Sequence, residues 1–214
     1  MYSIGAVPAP APLTVKGPTL TLRYAGLDDA PRLLELGGDP GVTRFFSWGP
    51  YERIEEPQAY IAGLAGKRER GEMLEFLIDH HEHGPIGVTG LSELSVRDRR
   101  ATVGSWVGRA YWGTGSNGES KALVAALGFG TLGLERLTAW TNTRNGRSQR
   151  ALERVGFRRE GVLRNWHRHG DEMHDVVVFG MLRAAWEGSR LREIPAVVEG
   201  TPPAPFVVGE TRQN

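Results

Sequence analysis

The sequence contains no cysteine, and that absence removes disulfide scaffolds, thiolate zinc sites, iron–sulfur ligation and any covalent intermediate on sulfur. Long hydrophobic runs are missing too. No stretch approaches the roughly 18 apolar residues of a membrane-crossing helix, and the opening MYSIGAVPAPAPLTV lacks the basic start and clean apolar core of a secretory leader. Nor is there an excess of charge of either sign. Lys and Arg total 26 against 25 for Asp and Glu, so no global field steers the chain to nucleic acid or to an anionic membrane. These absences predict a cytoplasmic protein with neither nucleic acid nor membrane as partner.

What is present is ordinary globular material: 214 residues, 40% hydrophobic and 24% charged, enough for one sizeable core. Proline clusters at the ends, four residues in 1–18 and four in 193–214. The composition predicts an extended N-terminal arm over 1–18, one domain over 19–186 and a Pro-rich tail over 187–214. Phe206, Val207 and Val208 give the tail a way to pack on a second copy, so a homodimer is one expectation.

Between the ends, periodicity predicts a strand over Thr19–Tyr24, then a helix capped by Asp28 and carrying Leu33, Leu34 and Leu36. A short helix or turn over Asp39–Phe46 and a helix over Ile54–Arg70 follow. Met73–Ile78 and Pro85–Leu91 read as strands joined through Asp79–Gly84, then Ala101–Val107 as another. Glu119–Phe129 carries a 3.6-period apolar stripe. Leu137–Thr141 is a strand, Asn145 caps a short helix that Gly156 ends, and Phe157–Arg164 with Met173–Leu182 make a closing hairpin around His169-Gly170-Asp171. The pattern is a mixed α/β (α+β) sheet rather than a doubly wound one. His80, His81 and His83 crowd one turn with no distant carboxylate at ligand spacing, which predicts a solvated hairpin tip and no metal site.

The most informative segment is Tyr111-Trp112-Gly113-Thr114-Gly115-Ser116-Asn117-Gly118-Glu119, after one strand and at the start of one helix. Glycines there expose backbone N–H groups beside the positive end of a helix dipole, a ready seat for phosphate. A tight turn that binds nothing is the plain alternative. As a Walker A loop the segment fails, because Glu119 stands where the phosphate-binding lysine belongs. As a dinucleotide fingerprint, Gly113, Gly115 and Gly118 match G-x-G-x-x-G and Glu135 lies at about the expected 20 residues on, although Gly108–Trp112 separates the loop from its strand. A nicotinamide-dependent oxidoreductase therefore stays open, beside a loop for the pyrophosphate of coenzyme A.

That third reading coincides with a family resemblance. Val103-Gly104-Ser105-Trp106-Val107, Trp112-Gly113-Thr114-Gly115 with Glu119, Asn145-Gly146-Arg147-Ser148, Val155-Gly156-Phe157 with Glu160-Gly161, and His174-Asp175 stand in an order that resembles the GNAT N-acetyltransferases. The likeness is to the branch that acetylates ribosomal-protein N-termini. Leu22-Arg23, Asp39-Pro40 and Trp48-Gly49-Pro50 extend it over about residues 19–186. Departures are Asn117 at the end of the pyrophosphate loop, Thr102 where the branch often has Glu, and Leu152 where many members have a Tyr thought to protonate the leaving thiolate. Asn117 is accommodated if its backbone is left-handed.

The resemblance implies a mostly antiparallel sheet of six to seven strands flanked by helices, with splayed central strands. It implies acetyl-CoA as co-substrate and direct transfer to a primary amine, with a protein or peptide N-terminus as acceptor and a small-molecule amine as the main variant. A non-catalytic acyl-CoA-binding module is a further alternative. The cofactor-binding residues implied are Trp106, Val107, Trp112, Gly113, Thr114, Gly115, Asn117, Gly118, Asn145 and Ser148. Ser148 is also the implied proton donor to the thiolate and His167 the implied base; Glu93 and Glu160 are spare carboxylates. A Ser in a first helical turn and an Asn before it also serve simply as caps, and a histidine beside a polar turn is commonly just exposed. Phe45, Phe46 and Trp48 are the implied acceptor-pocket residues, and Arg144, Arg147 and Arg150 border the cofactor face, where guanidinium suits phosphate.

Overall fold

The structure is a computed structural model that describes residues 11–208. Its strands are β1 (Thr14–Lys16), β2 (Leu20–Arg23), β3 (Met73–His80), β4 (Gly84–Ser95), β5 (Arg100–Val107), β6 (Arg136–Asn142), β7 (Arg158–His169), β8 (Glu172–Leu182) and β9 (Val197–Glu199). They form one nine-stranded sheet in the order β7-β8-β6-β5-β4-β3-β2-β1-β9. Every pairing is antiparallel except β5 with β6.

Helices α1 (Ala30–Gly37), α2 (Pro40–Thr43) and α3 (Glu55–Glu69) cover one face; α4 (Ser116–Ala125), α5 (Gly146–Arg154), α6 (Arg183–Glu187) and α7 (Arg190–Glu193) cover the other. Strand alternation divides the core between them. Leu74, Phe76 and Ile78 of β3 join Val103 and Val107 of β5, Leu137 and Ala139 of β6 and Phe179 of β8 beneath α4. Leu77, Val88 and Trp106 point to the opposite face and meet Leu33, Leu36 and Ile61. After α4 the helix widens into π-type turns over Ala126–Thr131, which bury Leu127 and Phe129.

The strand count exceeds the expected six to seven because segments read as arms belong to the sheet. β1 pairs with β2 on one side and β9 on the other. Leu13, Val15 and Phe206 are fully buried, and the Val208 N–H donates to Leu132 O at 3.0 Å. The described part of the tail thus packs on its own chain. Three-residue strands flanked by proline carry no period for a sequence reading to detect, and edge positions are where a sheet tolerates proline. The expected Asp28 cap is also displaced: Asp29 accepts from Gly26 N–H at 2.8 Å and holds Arg23 of β2 at 2.8 and 2.9 Å, fastening α1 to the sheet.

Candidate active site

β5 and β6 pair only at Arg100–Arg136, Ala101–Leu137 and Thr102–Thr138. Both continue, β5 to Val107 against β4 and β6 to Asn142 against β8, so beyond Thr102 and Thr138 their facing edges part and their backbone groups lie free of each other. Trp106 and Val107 stand at the mouth of this opening.

The glycine loop closes one end of it. From Val107 the chain makes a 3-10 turn over Arg109–Tyr111, and the Trp112 indole N–H donates back to Val107 O at 2.7 Å. Gly113 and Gly115 then adopt φ of 82° and 96°, which glycine reaches without the clash other residues suffer. A Cβ on either would meet nothing within 4 Å, so the space over the loop is open for a ligand. Thr114 Oγ1 donates to Tyr111 O at 2.9 Å and contacts Ser116 Oγ at 2.8 Å. Gly115, the cap of α4, brings no side chain to the helix's first N–H groups, and only a long contact from Ser116 N to Thr114 Oγ1, at 3.4 Å, engages one of them. A ten-residue helix therefore aims its positive end at unoccluded space, the arrangement that holds pyrophosphate.

α5 reaches the same place from β6. Asn145 Oδ1 accepts the Ser148 N–H at 3.1 Å, so Asn145 is the cap. Ser148 is half-buried, and its hydroxyl has no protein partner among the described residues. Arg147 lays its guanidinium 3.1 Å from the Trp112 ring centroid, with Arg109 5.7 Å from that ring. Burial and the charge of Arg109 push the Arg147 pKa down. The Trp112–Gly115 and Asn145–Ser148 segments are thus adjacent across the opening. Behind the loop lies a cavity of about 580 Å³ bordered by Gly115, Gly118, Arg154, Val155, Gly156 and Arg190, within the size range of nucleotide-binding clefts.

Asn117 is accommodated otherwise than through a left-handed backbone. It lies in the first turn of α4 and its Oδ1 accepts from Ser105 Oγ at 3.4 Å, which turns the side chain toward β5. Ser105 in turn accepts from Lys121 Nζ. Lys121 is 5% exposed, and desolvation lowers its pKa to about 8. No acidic partner lies within ion-pair distance of Lys121 among the described residues. Sequence reasoning passed over this lysine because it stands on a helix stripe that otherwise reads as apolar core. Glu119, the residue that spoiled the Walker reading, accepts from Thr19 N, Leu20 N and Thr19 Oγ1 at 2.8, 2.9 and 2.6 Å and joins α4 to β2.

On the opposite side of the sheet, Trp106 packs at a tilt on Trp48 at 5.5 Å, and Trp48 likewise on Phe46 and Tyr51 at 5.3 and 5.0 Å. Phe46 and Trp48 thus stand beside the opening, while Phe45 takes Arg44 over its ring at 5.3 Å. Thr138 and Trp140 of β6 and Leu163 and His167 of β7 share this face by register with β8, and none of them belongs to the cluster that Leu33, Leu36 and Ile61 cover. His167 packs on Trp140 at 5.0 Å, and its Nε2 is buried without a partner. Burial, His169 and His174 lower its pKa, which keeps the imidazole neutral at physiological pH. Glu160 is committed to Arg136. Glu93, at φ 51° in a bulge of β4, accepts the Thr102 hydroxyl at 2.6 Å, bringing a carboxylate to the strand position that lacks one. Leu152, 6% exposed, is core.

The sheet also decides against the dinucleotide reading. Glu135 precedes β6, at the end of the β5–β6 pair opposite the loop, where it binds Arg183 at 3.2 Å and cannot meet a ribose held by Gly115. His80 and His83 stack at 4.5 Å on the β3–β4 turn, and no metal-holding group of three or more such side chains exists among the described residues. No helix there is long and apolar enough to cross a membrane.

A parallel strand pair that parts beside a glycine-led helix N-terminus fits an acyl-CoA-dependent transferase. Residues 19–158 match the family model described as an acetyltransferase (GNAT) domain, and the chain belongs to that family. It is 29% identical over 170 residues to the "Uncharacterized N-acetyltransferase p20" of Bacillus licheniformis, covering 79% of this chain and 96% of that one. It is 28% identical over 104 residues to the "Putative ribosomal N-acetyltransferase YdaF" of Bacillus subtilis, 49% of this chain and 57% of the other. In fold it matches a GCN5-related N-acetyltransferase from Brucella melitensis at TM-score 0.76 and 21% identity, covering 87% and 85% of the two chains. It also matches MccE, solved with acetyl-CoA and AMP, at TM-score 0.70 and 20% identity, covering 77% and 93%. The open loop and the free strand edges fit acetyl-CoA, the acetyl donor of this family.

Proposed function

We propose that this acetyltransferase acts in the cytoplasm on the α-amino group of a protein or peptide N-terminus. The observation that carries this reading is the uncovered half of the acceptor face. β7 and β8 extend past the opening with Leu163 and Trp166 exposed, a surface open to an extended chain. The name carried by YdaF supports it.

Acetyl-CoA supplies the activated acetyl group. The backbone N–H groups at the glycine loop hold its pyrophosphate, Arg154 and Arg190 face its nucleotide end in the rear cavity, and the free edge at Trp106 and Val107 receives the pantetheine amides and the acetyl oxygen. An α-amino group has a pKa of about 8, so a useful neutral fraction exists near pH 7. His167, held neutral, takes the amine proton through water, and Ser148 returns one to the departing thiolate.

The test is thiol release from acetyl-CoA with a panel of peptides differing at their first residue, each also offered with a blocked N-terminus. Turnover confined to free N-termini supports the reading, while turnover only with small amines overturns it. In the same assay Ser148→Ala is expected to lose about 10²-fold or more in kcat with acetyl-CoA affinity kept.

A further inference from the structure

Glu75, in the middle of β3, is absent from every motif noted in the sequence, and it faces the acceptor side of the sheet. Its register partner on β4 is Gly90, and Gly90 in turn faces Gly104 on β5. Residues directly opposite in antiparallel strands share a face, so the row running from Glu75 to the edge of β5 carries no side chains. Two strands' worth of sheet surface is left as a trough. It leads from the Glu75 carboxylate to the point, two residues past Thr102, where β5 and β6 have already parted.

The trough is a real cavity of about 70 Å³, lined by Met73, Glu75, Gly90, Leu91, Ser92 and Gly104. At about 30 Å³ per liquid water it has room for an ammonium group or two waters. A Cβ on Gly104 would meet nothing within 4 Å, so packing does not demand glycine there.

The carboxylate at its head has no ion-pair partner within 4 Å among the described residues, Lys67 acting on it only from farther away. Glu75 is half-buried, with its Oε2 sealed from solvent, and the buried Tyr60 hydroxyl of α3 is a neighbouring donor that falls short of full hydrogen-bond geometry to it. Burial raises the Glu75 pKa, against smaller opposing effects of Tyr60 and of Lys67 on α3. Lys67 makes no ion pair with it within 4 Å among the described residues. The negative charge also reaches neighbouring phenols: burial and then Glu75 raise Tyr60, and burial, Glu75 and Glu56 push Tyr51 up to about 12. A half-buried carboxylate without an ion-pair partner is costly, and groups in such states cluster at sites where a ligand completes the charge.

We propose that this trough is the ammonium subsite of the acceptor: the protonated primary amine of the substrate enters over Gly104 and is held by the Glu75 carboxylate before transfer. The subsite rests on the reading of the chain as an amine acetyltransferase and serves a peptide N-terminus or a small amine alike. It selects acceptors that arrive as cations on a narrow head group and disfavours amines carrying a carboxylate beside the nitrogen. Proton removal and transfer then occur at the β5–β6 opening.

The probe is alaninamide, a cationic primary amine without a carboxylate, titrated into protein labelled with ¹³C at the glutamate carboxyl groups. A saturable shift is expected for the resonance that Glu75→Gln removes. In steady state, Glu75→Gln is expected to raise the acceptor KM at least tenfold while the acetyl-CoA Kd stays unchanged.

Glu75→Gln also relieves a penalty. A carboxyl whose folded pKa lies above its unfolded value costs stability above the folded pKa and costs nothing below the unfolded one. The variant is therefore expected to melt a few degrees higher near pH 8 and equally near pH 4. Gly104→Val, which fills the trough from a position with open space, is expected to raise the acceptor KM without the thermal gain. An unchanged KM in both variants, or a lower melting temperature for Glu75→Gln near pH 8, overturns the proposal and leaves a structural carboxylate beside trapped water. If no amine of any kind is acetylated, the functional reading fails, and the carboxylate resonance still reports on the trough.

Discussion

At the scale of single residues, the site is built from groups kept in costly states. Lys121 is an ammonium in the core whose recorded bond is to a neutral serine. Its folded pKa of about 8 lies below the ordinary 10.5, so the fold disfavours the charged form and carries the full penalty at neutral pH. Between about pH 8 and pH 10.5 the unfolded chain holds a proton that the folded one has released, and stability rises with pH in that window. Lys121→Met is therefore expected to stabilise the protein by about 3 kcal/mol at pH 7, with the gain fading by pH 10. Urea unfolding at the two pH values checks this. A loss of stability at pH 7 would mean that the Ser105–Lys121 contact outweighs desolvation. Ser148 was legible as a first-turn residue beside the Asn145 cap, but that position leaves two roles open. The structure separates them by giving the serine's N–H to Asn145 and leaving its hydroxyl free.

At the scale of elements, the segment that matters is the turn from β5 to α4. Its glycines were legible because only two of them, Gly113 and Gly115, sit at positive φ, and the G-x-G spacing records that demand. What they bind was not legible, since the same spacing serves dinucleotides and coenzyme A. The discriminating facts are tertiary: Trp112 returns to Val107, and Glu135 lies at the wrong end of its strand. Gly115→Val places a β-branched residue at φ 96°, a conformation that costs an L-residue roughly 1–2 kcal/mol or more, and puts its side chain into the open space over the loop. Calorimetry is expected to show acetyl-CoA affinity reduced about tenfold or more with the melting temperature lowered by roughly 2–8 °C. Retained affinity would remove the loop from the cofactor site. Element boundaries fared less well at the first helix, where Asp28 and Asp29 are equivalent by type. Only Arg23, arriving from β2, makes Asp29 the fastening residue.

At the scale of the whole molecule, the tail completes the sheet. Residues 193–208 contribute β9, the buried Phe206 and the hydrogen bond from Val208 to Leu132. Removing a buried phenylalanine typically costs about 3–5 kcal/mol, and 1 kcal/mol shifts the melting temperature of a domain this size by about 2–4 °C. A chain ending at Arg192 is thus expected to melt roughly 10 °C lower. Calorimetry of the two chains side by side decides the matter, and an unchanged melting temperature would make the tail dispensable.

The sequence by itself determined the element order, the mixed sheet, the glycine loop and the Asn145 cap, because each depends on residues close together in the chain: periods of two and 3.6, φ-permissive glycines and side chains within one helical turn. It could not determine the features that require distant strands to meet. The edge strands β1 and β9 exist only against each other and β2. Lys121 is a core charge only because α4 lays it against Ser105 of β5. Glu75 is a charge in a trough only because Gly90 and Gly104 fall into register with it across two strands. Local propensity acts through neighbours in sequence, whereas register and burial are set by the packing of the whole sheet, and the chemistry at the β5–β6 opening is decided there.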